Sequence, residues 1–286
     1  MKIIKYFFEY LFISLLLFFF KIIGYENASS LGEKIGKFLG PYFRSKNKIM
    51  NNLKQSNIGN SDSEREQIIR NMWGNYGRIL SEYPYLKKFK KNNLNNYIKI
   101  EGLEHLKEIK ENKKKVVFVS GHFNNFELMA MQIENSGINV AAIYRPLNNF
   151  FLNKTMEKIR IKNICKKQIK KGKGGTRELI KLFTEGYSVA LMIDQRVSEG
   201  IAVKFFNKTA LTTTIPAQLV KKYDCEVVPI YIERYNKNYF KMNVEKPLIF
   251  RKDSSLDDIT LKLNEKLELM ILKNPDQWIW SHDRWK

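Results

Sequence analysis

A histidine followed five positions later by a glutamate, in the stretch GHFNNFE at 121–127, pairs residue types suited to proton transfer. The chain has three histidines, His105, His122 and His282, so such pairings are scarce in it. In a continuous helix, five residues rotate a side chain by about 500°, roughly 140° off the starting face. His122 and Glu127 therefore meet only if His122 sits in a non-helical turn and Glu127 reaches back from the first turns of a helix. Gly121 permits a sharp exit from a strand, and Asn124 and Asn125 tolerate unusual backbone angles. A carboxylate on one ring nitrogen would fix the tautomer and raise the basicity of the other, which could then take a proton from a substrate hydroxyl. The spacing H-x4-E also arises by chance. Two readings stand at this point: a general base held by Glu127, or a structural loop histidine.

The elements around this stretch decide whether the turn exists. Residues 115–120 (KVVFVS) form a β-branched run that stops at Gly121, and FELMAMQIE follows with helical character. INVAAIYR (138–145), YSVALMI (187–193) and CEVVPIYIE (225–233) read as further strands. TRELIKLFTEG (176–186), TIPAQLVKKY (214–223, with Thr214 as N-cap) and SLDDITLKLNEKLELMILK (255–273, with Ser255 as N-cap) read as helices. Alternation of this kind predicts an α/β fold: a mostly parallel or mixed central sheet flanked by helices. Ligands in such sheets collect outside the carboxyl ends of the strands. His122, Arg145 and Asp194 each lie at or just past a strand end, so they can converge although they are far apart in sequence. Before this core, residues 25–96 read as a helical lead-in. Ser63 and Glu66 have capping-box spacing there, a helix runs to Pro84, and KKFKKNNLNN (87–96) reads as a loop or solvated face. The α/β core occupies 97–286, and 25–286 reads as one compact unit.

Residues 1–24 are MKIIKYFFEYLFISLLLFFFKIIG. The uncharged run Tyr10–Phe20 would cover only about 16 Å as a helix, short of a hydrocarbon core of about 30 Å. Extension to Ile3–Ile23 supplies the length but takes in Lys5, Glu9 and Lys21. No small-residue cleavage site follows, which argues against a removed signal peptide. An uncleaved membrane anchor is expected, either spanning the bilayer or deep in its interface; a buried core helix is the alternative. Positive charge on both sides leaves its orientation open. The formal charge of the chain is +21. That favours an anionic membrane, a polyanion or an acidic partner, or reflects a Lys-, Asn- and Ile-rich composition. Cys165 and Cys225 are far apart, which fits a reducing compartment, and no His/Cys cluster has metal-ligand spacing.

GHFNNFE, YRPLNN, GGTRELIKLFTEGYSVALMIDQ, VKFFNKTALTTTIPAQLV and NPDQWIWSHDRWK occur in this order. Together they resemble the bacterial lipid A biosynthesis acyltransferases, the lauroyl/myristoyl family within the glycerolipid acyltransferase superfamily. The resemblance extends from the N-terminal apolar helix to Lys286. It implies the family's fold, and its H-x4-D/E motif falls on His122 and Glu127. Arg160, in EKIRIKN, and Asp194, followed by Gln195, fall on the family's further arginine and its DQ pair. Two departures stand out. Asn124 and Phe126 replace the Gly and Trp of GHFGNWE, and Asn207 replaces the Gly of FFG. Asn is the residue besides Gly that best tolerates positive φ, so both turns can survive.

The resemblance implies transfer of an acyl chain from an acyl-carrier-protein thioester, a co-substrate rather than a cofactor, to a hydroxyl of a phosphorylated glycolipid, a lipid A precursor. His122 would be the base, Glu127 its orienter, and Arg160 or backbone N–H groups after Gly121 the oxyanion donors. Asp194 would hold Arg160 or another cation, or be a strand-end cap; Gln195 belongs to the same binding group. Arg145 would take a phosphate or be structural. The implied setting is the bacterial inner membrane, with the catalytic core on the cytoplasmic side. The terminal WIWSHDRW is open between a membrane-interface contact and core packing. One rival keeps the chemistry and changes the acceptor to another glycolipid or a lysophospholipid. The other is a basic membrane- or nucleic-acid-binding protein without activity; the lysine clusters 113–115 and 166–173 would serve it, but no nucleic-acid-binding module is recognisable, so nucleic acid is not expected.

Overall fold

The computed structural model describes residues 2–286. Its first element, α1 (Lys2–Ile22), is unbroken, and among the described residues it is a helix long and apolar enough to cross a membrane. The lead-in follows as α2 (Tyr25–Leu39), α3 (Lys46–Gln55), α4 (Asp62–Glu82) and α5 (Leu86–Lys90). Glycines let α2 and α4 touch backbone to backbone: a Cβ on Gly77 would stand 1.9 Å from the Gly32 carbonyl oxygen, and one on Gly36 would stand 2.2 Å from that of Trp73. This close crossing delivers Glu82 and Tyr83, at the end of α4, to the underside of the 121–127 turn. The cap of α4 lies two residues earlier than the sequence suggested. Two S-x-x-E frames overlap, and Ser61 is the extended residue whose hydroxyl accepts from Glu64 N at 3.1 Å, while Glu64 Oε2 accepts from Asn60 N at 2.7 Å. Of the stretch expected as a loop or solvated face, residues 91–94 form a mostly exposed turn, while 87–90 belong to α5, whose Leu86 and Phe89 are fully buried and whose Lys87 and Lys88 are exposed.

The α/β part runs β1 (Ile98–Glu101), α6 (Leu103–Glu111), β2 (Val117–Ser120), α7 (Glu127–Asn135), β3 (Val140–Tyr144), α8 (Phe150–Asn163), β4 (Lys167–Lys170), α9 (Lys173–Thr184) and β5 (Ser188–Met192). It continues with β6 (Ile201–Phe205), β7 (Lys208–Thr212), α10 (Ile215–Tyr223), β8 (Val227–Tyr235), β9 (Tyr239–Val244) and α11 (Leu256–Lys273). Seven strands form one sheet in the order β1-β9-β8-β2-β5-β3-β4. All neighbours are parallel except the β8–β9 hairpin, so the sheet is mixed but mostly parallel, with helices on both faces. The central strand β2 is buried throughout, as its unbroken apolar run requires. β6 and β7 form a separate antiparallel hairpin. Its two-residue turn, Phe206 and Asn207, has positive φ at both positions (49° and 59°), the geometry that matches strand twist. Asn207 thus keeps the backbone expected of a glycine at that position. α11 carries the reciprocal capping box begun by Ser255, whereas Thr214 precedes α10 without a side-chain cap bond. The C-terminal aromatics pack inward: Trp278 and Trp280 are buried, and their rings meet edge to face at 4.6 Å. This selects core packing over a membrane contact for that segment.

Candidate active site

The parallel pairing of β2 with β5 sets Ser120 beside Met192. Two residues further along each chain, His122 and Asp194 stand side by side above the carboxyl edge of the sheet. His122 Nδ1 lies 2.8 Å from Asp194 Oδ1, and the His122 backbone N–H donates to Asp194 Oδ2 at 2.8 Å. Trp278 Nε1–H donates to the same Oδ2 at 2.9 Å. Asp194 is fully buried, while the His122 side chain is 22% exposed. Burial disfavours charge on both groups, but their mutual attraction and hydrogen bonds outweigh it. The Asp194 carboxyl is held below the usual carboxylate range, and the His122 imidazole is raised above its ordinary value. With Nδ1 engaged by the carboxylate, Nε2 is the nitrogen left to exchange a proton with a ligand.

Glu127 does not make the contact with His122 that the spacing suggested. The helix begins at Glu127 itself, and the Phe126 ring packs edge-on against the imidazole at 4.9 Å. Glu127 turns instead to α8, where its Oε1 accepts from Arg160 Nε at 2.8 Å and Nη2 at 2.7 Å. The Tyr83 hydroxyl also donates to that oxygen and accepts from Arg160 Nη2 at 3.2 Å. The expected partnerships are therefore exchanged: Asp194 serves His122, and Glu127 serves Arg160. Asp194 is correspondingly no partner of Arg160. Burial and the adjacent Glu127 carboxylate raise the Tyr83 phenol well above its ordinary value.

Both pairs open onto one cavity of about 390 Å³. Its apolar part runs down one face of the sheet over Phe118, Ala142 and Ala190, under Met129 and Ala130 of α7 and Ile164 after α8. The register explains the space: Phe118 pairs with Ala190, and Ala190 with Ala142, so two alanines sit where larger side chains would fill the groove. Arg145, Lys171 and Gln195 stand in its lining with His122, Arg160 and His282. Arg145 is exposed, as suits contact with a ligand headgroup. An apolar slot with a few convergent polar groups is the usual form of a small-molecule site. Cys165 and Cys225 are outside that lining, and burial pushes their thiols up to about 12 and about 11, respectively, away from nucleophilic thiolate.

The turn that presents His122 is braced from beneath. Gly121 is required for space: a Cβ there would come within 2.9 Å of Leu267 Cδ1 and 3.3 Å of Asp194 Cβ. Asn124 has φ +41°, the left-handed conformation that the glycine-to-asparagine exchange anticipated. Its Oδ1 accepts from Arg234 Nε at 3.2 Å, and its side-chain amide donates to Gln277 Oε1. Asn125 donates to Glu82 Oε2 at 2.9 Å, and Glu82 Oε1 pairs with Arg234 Nη1 at 2.8 Å. Glu82, Arg234, Gln277, Tyr83, Trp278 and His282 were not among the expected site residues. Gln277, Trp278 and His282 lie within the NPDQWIWSHDRWK block, but nothing local to that block, or to the segments that carry Glu82, Tyr83 and Arg234, places them beside this turn.

The model of the family described as "Bacterial lipid A biosynthesis acyltransferase" matches residues 1–286. A curated relative from Shigella flexneri, lipid A biosynthesis acyltransferase 2, is 24% identical over 259 residues, covering 86% of this chain and 80% of its own. The lipid A biosynthesis myristoyltransferase of Escherichia coli (strain K12) is 22% identical over 251 residues, covering 86% of this chain and 77% of its own. Among solved structures, the 1-acyl-sn-glycerophosphate acyltransferase PlsC of Thermotoga maritima aligns with a TM-score of 0.43 and 13% identity, over 89% of this chain and 99% of that one. The match of the family model over the whole length decides the assignment: this chain belongs to the bacterial lipid A biosynthesis acyltransferase family and is an acyltransferase.

Proposed function

We propose that this enzyme transfers a fatty acyl chain from the thioester of acyl-carrier protein to a hydroxyl of a lipid A precursor, at the cytoplasmic surface of the bacterial inner membrane. The observation that carries the reading is the His122–Asp194 pair at the head of an apolar slot. The acyl chain of the donor lies in the slot over Ala142 and Ala190, which brings its thioester carbonyl to His122. Nε2 of His122 takes the proton of the acceptor hydroxyl as its oxygen attacks the carbonyl carbon. Asp194 holds the Nδ1 proton and stabilises the imidazolium that forms. The C–S bond then breaks, and the imidazolium returns the proton to the leaving thiolate.

Arg160 faces the same space, and its Nη1 has no hydrogen bond among the described residues. It supplies positive charge for the tetrahedral oxyanion, and Glu127 with Tyr83 fixes its position. Arg145 and Lys171 at the lining suit the phosphates of a glycolipid or the acidic surface of the carrier protein. The raised thiols of both cysteines favour direct attack over a cysteine acyl-enzyme.

The test is incubation of purified protein with acyl-carrier protein bearing labelled acyl chains and a panel of acceptors, read by mass spectrometry. The panel holds a lipid A precursor, a mannosylated phosphatidylinositol and a lysophospholipid. An acylated lipid A precursor is expected, and the product should fall at least about 100-fold in His122→Ala. Transfer only to another acceptor would replace the proposed substrate, and undiminished turnover in His122→Ala would remove the proposed base.

A further inference from the structure

α1 is bound to the body of the protein along one whole side. Asn149, the N-cap of α8, donates to the Tyr6 carbonyl at 2.8 Å and to Glu9 Oε2 at 3.1 Å. The Phe151 ring meets Phe7 at 5.8 Å and Tyr10 at 5.9 Å. At the other end, the Tyr85 hydroxyl donates to the Phe20 carbonyl at 2.7 Å. These anchors cover about 21 Å of helix length at 1.5 Å per residue. The opposite side is bare: Ile4, Phe8, Leu11, Leu15, Phe19 and Ile22 are all exposed. Lys5 and Lys21, both exposed, lie roughly a quarter-turn to either side of that stripe. Glu9, the charge hardest to place in a membrane, points inward to Asn149.

We infer that α1 lies in the plane of an anionic bilayer surface, with its bare stripe in the headgroup–acyl boundary, and does not cross the bilayer. The inference rests on the membrane association proposed above. If α1 stood along the bilayer normal, whatever holds its inner side would lie at hydrocarbon depth with it. One end is held next to the non-helical segment 145–149, which carries the exposed Arg145; the other is held at the turn containing Tyr85. Whichever end pointed inward, either the non-helical segment with Arg145 or the exposed Lys87 and Lys88 just after Tyr85 would be carried about 20 Å deep. Laid flat, the same helix puts only apolar side chains into lipid and lets both lysines reach the phosphates. Leu147 and Phe150, exposed beside the Asn149 contact, extend the apolar surface toward Arg145 at the cavity. Charge favours a bilayer over a second copy of the chain, since the formal charge of +21 repels another copy and attracts acidic lipid.

The experiment places a fluorophore on a single cysteine at Ile4, Phe12 or Phe19 in a Cys225→Ser background; the remaining native Cys165 is buried. The full-length protein is bound to vesicles of phosphatidylethanolamine and phosphatidylglycerol that contain lipids brominated at successive depths. Equal, shallow quenching at all three sites, within about 5 Å of one another, is expected. A depth that changes by about 20 Å from Ile4 to Phe19, with binding to vesicles intact, would overturn the in-plane placement and leave the membrane reading standing. Failure to sediment with vesicles, or label–label contacts without lipid quenching, would overturn both, the latter in favour of a second copy.

Discussion

The turn at 121–127 has two sides built on opposite terms. Toward the cavity, His122 is partly exposed, its Nε2 is free for a ligand, and two carboxylates hold it and Arg160 in place. Beneath, Asn124, Asn125, Glu82 and Arg234 are all buried and bonded to one another or to Gln277. The upper side keeps bonding capacity for substrate; the lower side spends nearly all of its own on fixing the backbone. Charge close to a reaction thus has two separable roles, and substitutions should sort by side.

The largest effect on chemistry is expected at the top. His122→Ala should lower kcat/KM by about 10²–10⁴ while costing only about 1–2 kcal/mol of stability, because the buried Asp194 carboxylate keeps its bonds from the His122 backbone N–H and the Trp278 indole, as steady-state rates and denaturant titration of one preparation will show. Beneath, the order reverses. Glu82→Ala leaves the buried Arg234 guanidinium without its carboxylate and should cost about 3–5 kcal/mol of stability in denaturant titration. A top-side variant that mainly unfolds the protein, or an underside variant that is stable and inactive, would break the division. Asn124→Ala comes next: it places an alanine at φ +41° and removes two side-chain partners, so a loss of about 2–3 kcal/mol is expected. Asn124→Gly keeps the backbone geometry and should cost less than the alanine variant, which separates the turn from its bonds.

How much of this was legible in the sequence follows the same line between local and distant. The strand before His122, the helix after it and the gathering of His122, Arg145 and Asp194 at one sheet edge were readable, because each depends on periodicity and strand ends. The positive φ at Asn124 and Asn207 was readable from residue type. The exchange of partners was not. It depends on β2 lying beside β5 in a register that pairs Ser120 with Met192, and strand order leaves no mark in a single sequence. Glu82 and Arg234 were hidden for the same reason, being 152 residues apart and joined only by the fold. The Ser63 cap failed by competition between two overlapping frames, and the short α5 was hidden because three of its five residues are lysines, which resemble a solvated face. The two aromatic termini could both have met lipid; only packing separates the bare stripe of α1 from the buried Trp278 and Trp280.

The smallest effect is the most discriminating. As the proposed base, His122 must be neutral, and its raised pKa would place the acid limb of kcat/KM above the ordinary imidazole value, with activity rising as pH increases through that limb. Asp194 is the main source of the upward shift, and Glu127 contributes less. The direct measurement is therefore the pH profile of kcat/KM for Asp194→Asn and Glu127→Gln beside the unaltered enzyme. The account predicts that the acid limb moves to lower pH in Asp194→Asn, and clearly further than in Glu127→Gln. A limb that stays in place in Asp194→Asn, or moves as far in Glu127→Gln, would contradict the claim that Asp194 holds the catalytic base.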